Sequence, residues 1–246
     1  MKVFAEFSCS AKKREELKAC FDFFESEYRE VIRHVPTRWL SLFKALDRML
    51  LSWGPLKRYF LEQGSDNCPR ALWAILSDQV DEIASETTPT YNELYLYFTH
   101  NFMASFQEIL LLLEKRTTAA FHLHNIMVKF RDSIAKKISD KHFGMKVHMA
   151  LRQGYLSENQ SREFTKNALI VYQRALAYIE QWYSFENNNY KAFSCLDLEC
   201  GRFPTLDQLI ELWSLSPWKQ QNPPENIYEE LAALQSVFSS LEGKLY

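Results

Sequence analysis

Glycine and proline are scarce, at six and eight residues in 246, which excludes collagen-like, low-complexity and turn-dense all-β classes. Long apolar runs are missing too. The greasiest, residues 109–113, is bounded by Gln107-Glu108 and Glu114-Lys115-Arg116 and falls far short of the roughly 20 apolar residues of a spanning helix, so no membrane segment is expected. The five cysteines (Cys9, Cys20, Cys68, Cys195, Cys200) are an odd set at irregular gaps, and no charged-then-apolar leader opens the chain. An intracellular protein with reduced thiols is expected. Excess charge of either sign is also lacking: 29 Lys+Arg face 31 Asp+Glu, so binding to a polyanion has to reside in a local patch.

What the chain has in quantity is apolar and aromatic residues, 47% and 15%, set out with helical rather than alternating period. Segment 11–27 spaces Leu17, Cys20, Phe21 and Phe24 on one face behind a capping Ser10. Val31-Ile32-Arg33-His34-Val35 reads as a short strand, because Pro36 disfavours a helical residue before it. Thr37 then caps a helix carrying Trp39, Leu42, Phe43, Leu46, Leu50 and Trp53, interrupted at Gly54-Pro55 and resumed over 56–61. Further helices are predicted over 70–85, 91–115 (behind Thr90), 117–138, 158–186, 206–213 and 225–241. The buried stripes of the three longest are Leu94, Phe98, Phe102, Phe106, Ile109 and Leu113, then Ala120, Phe121, His124, Met127, Val128, Ile134 and Ile138, then Phe164, Ala168, Val171, Tyr172, Ala175, Ile179 and Trp182. The first two of these helices read as an antiparallel hairpin or one kinked rod.

Local signatures of chemistry are few. No Gly-rich phosphate loop, G-x-S-x-G elbow or H-E-x-x-H motif occurs. His122 and His124 lie two apart on a predicted helix and point in different directions, so they cannot share a metal as an i, i+4 pair does. His124 reads as a satisfied core or boundary histidine. Cys195 and Cys200 have a spacing zinc ligands use, but no second pair follows, and they read as two reduced thiols. Glu15-Glu16 and Glu229-Glu230 read as surface charge. No cofactor, metal or small-molecule substrate is expected.

Charge distribution says more than its total. Residues 129–152 hold seven basic residues, Lys129, Arg131, Lys136, Lys137, Lys141, Lys146 and Arg152, against Asp132 and Asp140, with His142 and His148 added. Residues 27–58 carry Arg29, Arg33, Arg38, Lys44, Arg48, Lys57 and Arg58 against Glu27, Glu30 and Asp47, whereas 180–230 hold nine acids against Lys191, Arg202 and Lys219. Two basic stretches and an acidic end fit one face suited to phosphate contacts, and a solvated helix surface accounts for the same runs.

Three strings carry a resemblance: Phe7-Ser8-Cys9-Ser10-Ala11-Lys12-Lys13-Arg14-Glu15-Glu16-Leu17, Ile32-Arg33-His34-Val35-Pro36-Thr37-Arg38-Trp39-Leu40-Ser41-Leu42 and Leu50-Leu51-Ser52-Trp53-Gly54-Pro55-Leu56-Lys57-Arg58-Tyr59-Phe60. Together they resemble transposase-derived proteins of the hAT superfamily, with H-V-x-T-R-W-L-S-L the most specific part. The resemblance implies an all-α chain, a bundle of long antiparallel helices like the hAT insertion domain, with a short remnant of an RNase H-like α/β core at its start. Its parts are then 1–37 (core remnant), 38–186 (helical insertion) and 187–246 (acidic, Pro-interrupted helical segment).

The resemblance implies that Arg38 and Trp39 handle the transposon end, the Trp stacking on an extruded base, although Trp39 also begins the apolar stripe of its own helix. The family's metal-dependent strand transfer uses two Asp and one Glu that find no match here, so no catalytic residue is carried over and no enzyme is expected. The expected partner is DNA, through Arg38, Trp39 and the 129–152 basic residues, in the nucleus. The alternative is a module that binds a protein partner or itself.

Overall fold

Side-chain caps mark where four of the described helices start. The structure, a computed structural model, describes residues 2–35, 39–76, 89–115, 118–154, 156–186, 189–197, 203–215 and 225–242. After α1 (Lys2–Ser8), helix α2 (Ala11–Phe23) begins as Ser10 Oγ accepts the Lys13 N–H, the cap expected from sequence. Helix α3 (Trp39–Leu51) comes next, and α4 (Trp53–Asn67) starts one residue earlier than Gly54-Pro55. The break falls at Ser52 because Pro55 sits in the first turn of α4, where its missing N–H has no intrahelical acceptor to lose. Helix α5 (Arg70–Leu76) is the described part of the helix expected over 70–85; residues 77–88 lie outside the described residues, as does the capping Thr37.

Helices α6 (Tyr91–Leu113), α7 (Ala120–Ser139), α8 (Met145–Arg152) and α9 (Glu158–Trp182) follow, then α10 (Asn189–Phe193), a 3-10 turn at Ser194–Leu196, α11 (Leu206–Leu215) and α12 (Ile227–Glu242). Three of these begin in reciprocal capping boxes: Thr90 with Glu93, Ser157 with Gln160 and Thr205 with Gln208.

The described residues are all helix and irregular chain, with no strand among them. The short strand expected over 31–35 is corrected accordingly. Those residues are non-helical, as the following proline demands, but find no ladder partner; instead Ser41 Oγ holds the chain, accepting from Val35 N–H at 3.0 Å and donating to Val35 O at 2.9 Å. The described part of 1–37 is thus two helices and an irregular segment rather than α/β.

The chain divides into two compact units, Met1–Leu110 with Lys136–Gln173, and Leu111–Ala135 with Arg174–Tyr246. In the first, α2 packs on α4 over Leu17, Cys20, Phe21, Leu56, Tyr59 and Phe60, and Phe7 joins with its ring 5.0 Å from Tyr59 and 5.8 Å from Phe60. Lys57 and Glu93 are buried in the same unit and pair at 2.9 Å. A second aromatic group joins Phe98, Phe143, Phe164 and Tyr172, with ring centroids 5.4 to 6.3 Å apart. In the second unit Phe130, Ile134, Ile179, Leu231 and Pro204 are the buried apolar residues among those described.

The helical periods expected from sequence hold in the structure, and the edges of the buried stripes differ. In α6 Leu94 and Phe98 are buried, but toward its C-terminal end the inward positions are Ser105 and Gln107, and Leu113 is exposed. In α9 Phe164, Ala168, Tyr172 and Ile179 are buried, whereas Val171 is exposed and Trp182 is 71% exposed. Val171 and Trp182 lie about two and five turns beyond Phe164 on the same side of the helix, so that side is covered at Phe164 and open at these two positions.

Candidate nucleic-acid interface

Of the expected basic residues, Lys136, Lys137, Lys141, Lys146 and Arg152 lie at the end of α7 and along α8. Helix α7 stops because Lys141 adopts a left-handed conformation (φ 48°), letting Lys141 N–H reach Ile138 O at 3.2 Å and His142 N–H reach Lys137 O at 2.9 Å. A lysine occupies the position usually given to glycine. Phe143 then enters the aromatic group, and Gly144 (φ 105°) lies so close to α6 that a Cβ there would meet Asn101 Cβ at 2.9 Å. From that anchor α8 buries Val147 and Ala150 and turns Met145, Lys146, His148, Met149 and Arg152 outward. The spacing 143, 147, 150 is a narrow inward stripe, so the remaining arc of the helix faces solvent.

The individual cations have different fates. Lys141, Lys146 and Arg152 are exposed, and the Lys146 ammonium lies 5.0 Å from the centroid of the Tyr97 ring. Lys136 is exposed beside Asp140 at 3.2 Å, a surface pair of small energetic value. Lys137 turns away: it is half-buried, donates to Ser105 Oγ on α6, and burial pushes its ammonium pKa down, opposed by Glu108. Its inclusion in an open basic face is corrected, because adjacent residues on a helix point about 100° apart.

Lys129 and Arg131 belong to the second unit. Lys129 is exposed at the rim of a cavity of about 540 Å³ lined also by Asn125, Cys195, Asp197, Phe203 and Gln208. Arg131 donates through Nε and Nη2 to Asp132 Oδ1 at 3.0 and 2.9 Å and lies 4.5 Å from the Phe185 ring centroid, so its guanidinium is already engaged. Arg38 lies outside the described residues, and Trp39 opens α3 with a side chain that is likewise outside them.

The basic stretch over 27–58 is corrected more sharply. Lys57 is buried against Glu93, and Arg58 donates to Glu62 at 2.8 Å with its guanidinium 3.5 Å from the Phe23 ring centroid. Neither charge contributes to an open basic surface.

The histidines and cysteines also find their places. His124 is part-buried with Nδ1 3.2 Å from Tyr183 Oη; burial, Lys191 and Arg131 push its pKa down, as suits a boundary histidine. His122 accepts the Ala119 N–H at Nδ1 (3.3 Å), leaving Nε2 3.6 Å from the buried Asp197, which also accepts from Asn125 at 2.8 Å. Its signal was an H-x-x-N spacing on one helix face, too common to single out. Burial pushes the Cys195 thiol pKa up, and Cys200 lies outside the described residues. Glu15 and Glu16 pair with Lys18 and Lys12, and Glu229 and Glu230 are exposed. No group of three metal-ligating side chains occurs among the described residues, and none of their helices is long and apolar enough to cross a membrane.

No family model matches the chain, and neither a curated protein nor a solved structure matches it.

Proposed function

We propose that the chain is a transposon-derived, non-catalytic helical module, comparable to an hAT insertion domain with the tail of its RNase H-like core, that contacts DNA phosphates through the outward cations of residues 136–152. The observation that supports the contact is the outward set Lys141, Lys146 and Arg152, in a stretch whose sole acid is Asp140. Exposed ammonium and guanidinium groups on one turn and one short helix suit a polyanion by counterion release, without base readout. The resemblance over residues 7–60 supports the ancestry, the nuclear location and the parts assigned to Arg38 and Trp39.

Anisotropy of a labelled DNA hairpin across a salt series tests this. Wild type is expected to bind at low salt and weaken steeply as salt rises, and the Lys141→Glu/Lys146→Glu/Arg152→Glu variant to show a slope of log affinity against log salt shallower by about 2 to 3, near 0.9 per lost phosphate contact. Undetectable binding at low salt, or binding indifferent to those substitutions, rejects the proposal. Trp39→Ala in parallel separates base stacking from phosphate contact.

A second reading, an interaction or self-association module without nucleic-acid binding, is favoured by the exposed Tyr178, Trp182, Tyr228, Leu234 and Val237 of the second unit. Light scattering over a concentration series without polyanion checks it: a mass that rises with concentration supports this reading, and a constant mass rejects self-association.

A further inference from the structure

Two helices expose matching stripes of opposite charge. On α8 the outward positions at i, i+4 and i+7 are Met145, 67% exposed, Met149, 46% exposed, and Arg152. On α12 the positions at i, i+4 and i+7 are Glu230, Leu234, 52% exposed, and Val237, 58% exposed. Each stripe is two apolar residues ended by one charge, and each spans eight residues, about 10 Å of helix. Both stripes are open to solvent.

We propose that these stripes dock on each other between copies, α8 of one chain lying antiparallel along α12 of a second copy. The proposal rests on the self-association reading and names its surfaces. Only the antiparallel register sets Arg152 opposite Glu230 while Met149 meets Leu234 and Met145 meets Val237. A parallel register sets Arg152 against Val237 and Glu230 against Met145, stranding both charges on apolar neighbours. The ends also agree electrostatically. Arg152 is the last residue of α8 and Glu230 lies in the first turn of α12, so each charge already complements its own helix dipole and the two dipoles run opposed.

Because the two surfaces are different, the contact is heterologous: each copy offers one α8 and one α12, and association proceeds head to tail. Unbranched methionines suit such a contact, since they adapt to the facing side chains. Two-turn stripes bury less than the area of a stable interface, so the association is weak and shows only at high protein concentration. Arg152 also belongs to the phosphate-contact set, so the assay contains no nucleic acid.

Sedimentation velocity of the full chain over a concentration series at low salt tests the pairing, using Arg152→Glu, Glu230→Arg and their equimolar mixture. Circular dichroism controls that these surface variants keep their helix content. Each variant alone is expected to self-associate at least about fivefold more weakly than wild type, because like charges then face across the contact. The mixture is expected to recover to within about twofold of wild type, because each contact then joins opposite charges again. Wild type that remains monomeric at every concentration overturns both the pairing and self-association itself. Self-association that persists but ignores the two substitutions, or variants that fail to recover on mixing, overturns the α8 to α12 pairing while leaving self-association standing.

Discussion

Proline aside, the first unit holds 23 of the 27 buried apolar side chains of the described residues and the second holds four, whereas 11 of the 18 exposed large apolar side chains belong to the second. Both units are built from amphipathic helices, so composition does not explain the contrast. Convergence does. In the first unit, aromatic positions from α6, the turn before α8 and α9 meet in one group around Phe98, and α1, α2 and α4 bring Phe7, Phe21, Tyr59 and Phe60 into another core. In the second, helices of 5, 10 and 16 residues each turn few apolar positions inward, leaving α12 with Leu231 as its buried residue among those described. Burial stabilises at roughly 25 cal/mol per Å² of apolar surface, so stability concentrates in the first unit and exposed apolar surface in the second.

The largest test of that contrast is a pair of aromatic truncations. Phe164→Ala removes a fully buried ring and is expected to cost about 4 kcal/mol in urea unfolding, whereas Trp182→Ala is expected to cost less than about 0.5 kcal/mol. Equal costs would break the contrast outright.

A smaller effect is expected from the buried ion pair of the first unit. Lys57→Met leaves the Glu93 carboxylate buried without its cation and is expected to destabilise by about 3 kcal/mol, while Lys57→Met/Glu93→Leu recovers most of the loss. A double variant no better than the single one would show that Glu93 matters for its capping bond to Thr90 N–H rather than for the pair.

The last effect is zero at neutral pH and appears only at high pH, where it sharpens the contrast. Tyr59, Tyr97 and Tyr172 all lie in the first unit, and their pKa values are pushed up to about 12 by burial, with Glu16 and Glu6 adding at Tyr59 and Glu93 at Tyr97. Tyrosine is neutral when protonated, so a raised folded pKa means that the folded state holds a proton which the unfolded chain releases above pH 10. The stabilisation is complete below pH 10 and is lost progressively between about pH 10 and 12. Tyrosinate absorbance and helix signal followed together check this: loss of helix well below pH 10, or full titration of these phenols with helix retained, contradicts it.

Much of the helix layout was legible in the chain. Ser10 and Thr90 cap as their residue types and positions indicate, and Leu17, Cys20 and Phe21 are buried as their spacing indicates, because both signals are local. Lys57 was not legible as a core residue. Its partner is 36 residues away in sequence, and no local pattern separates a lysine paired with a distant glutamate from one solvated on a helix face. The candidate site was legible as a run of charge, but run and surface differ. Lys136 and Lys137 are adjacent in sequence, and one is exposed while the other reaches Ser105.

The sequence by itself determined that this protein is helical and where most helices start, since period, capping residues and the scarcity of glycine and proline act within a few residues of one another. Tertiary structure alone decided which stripes are covered, which cations are free to meet a partner and which of two similar sets of amphipathic helices becomes a core. Those outcomes depend on side chains that meet across tens of residues, and the energy of burial exists only once they have met.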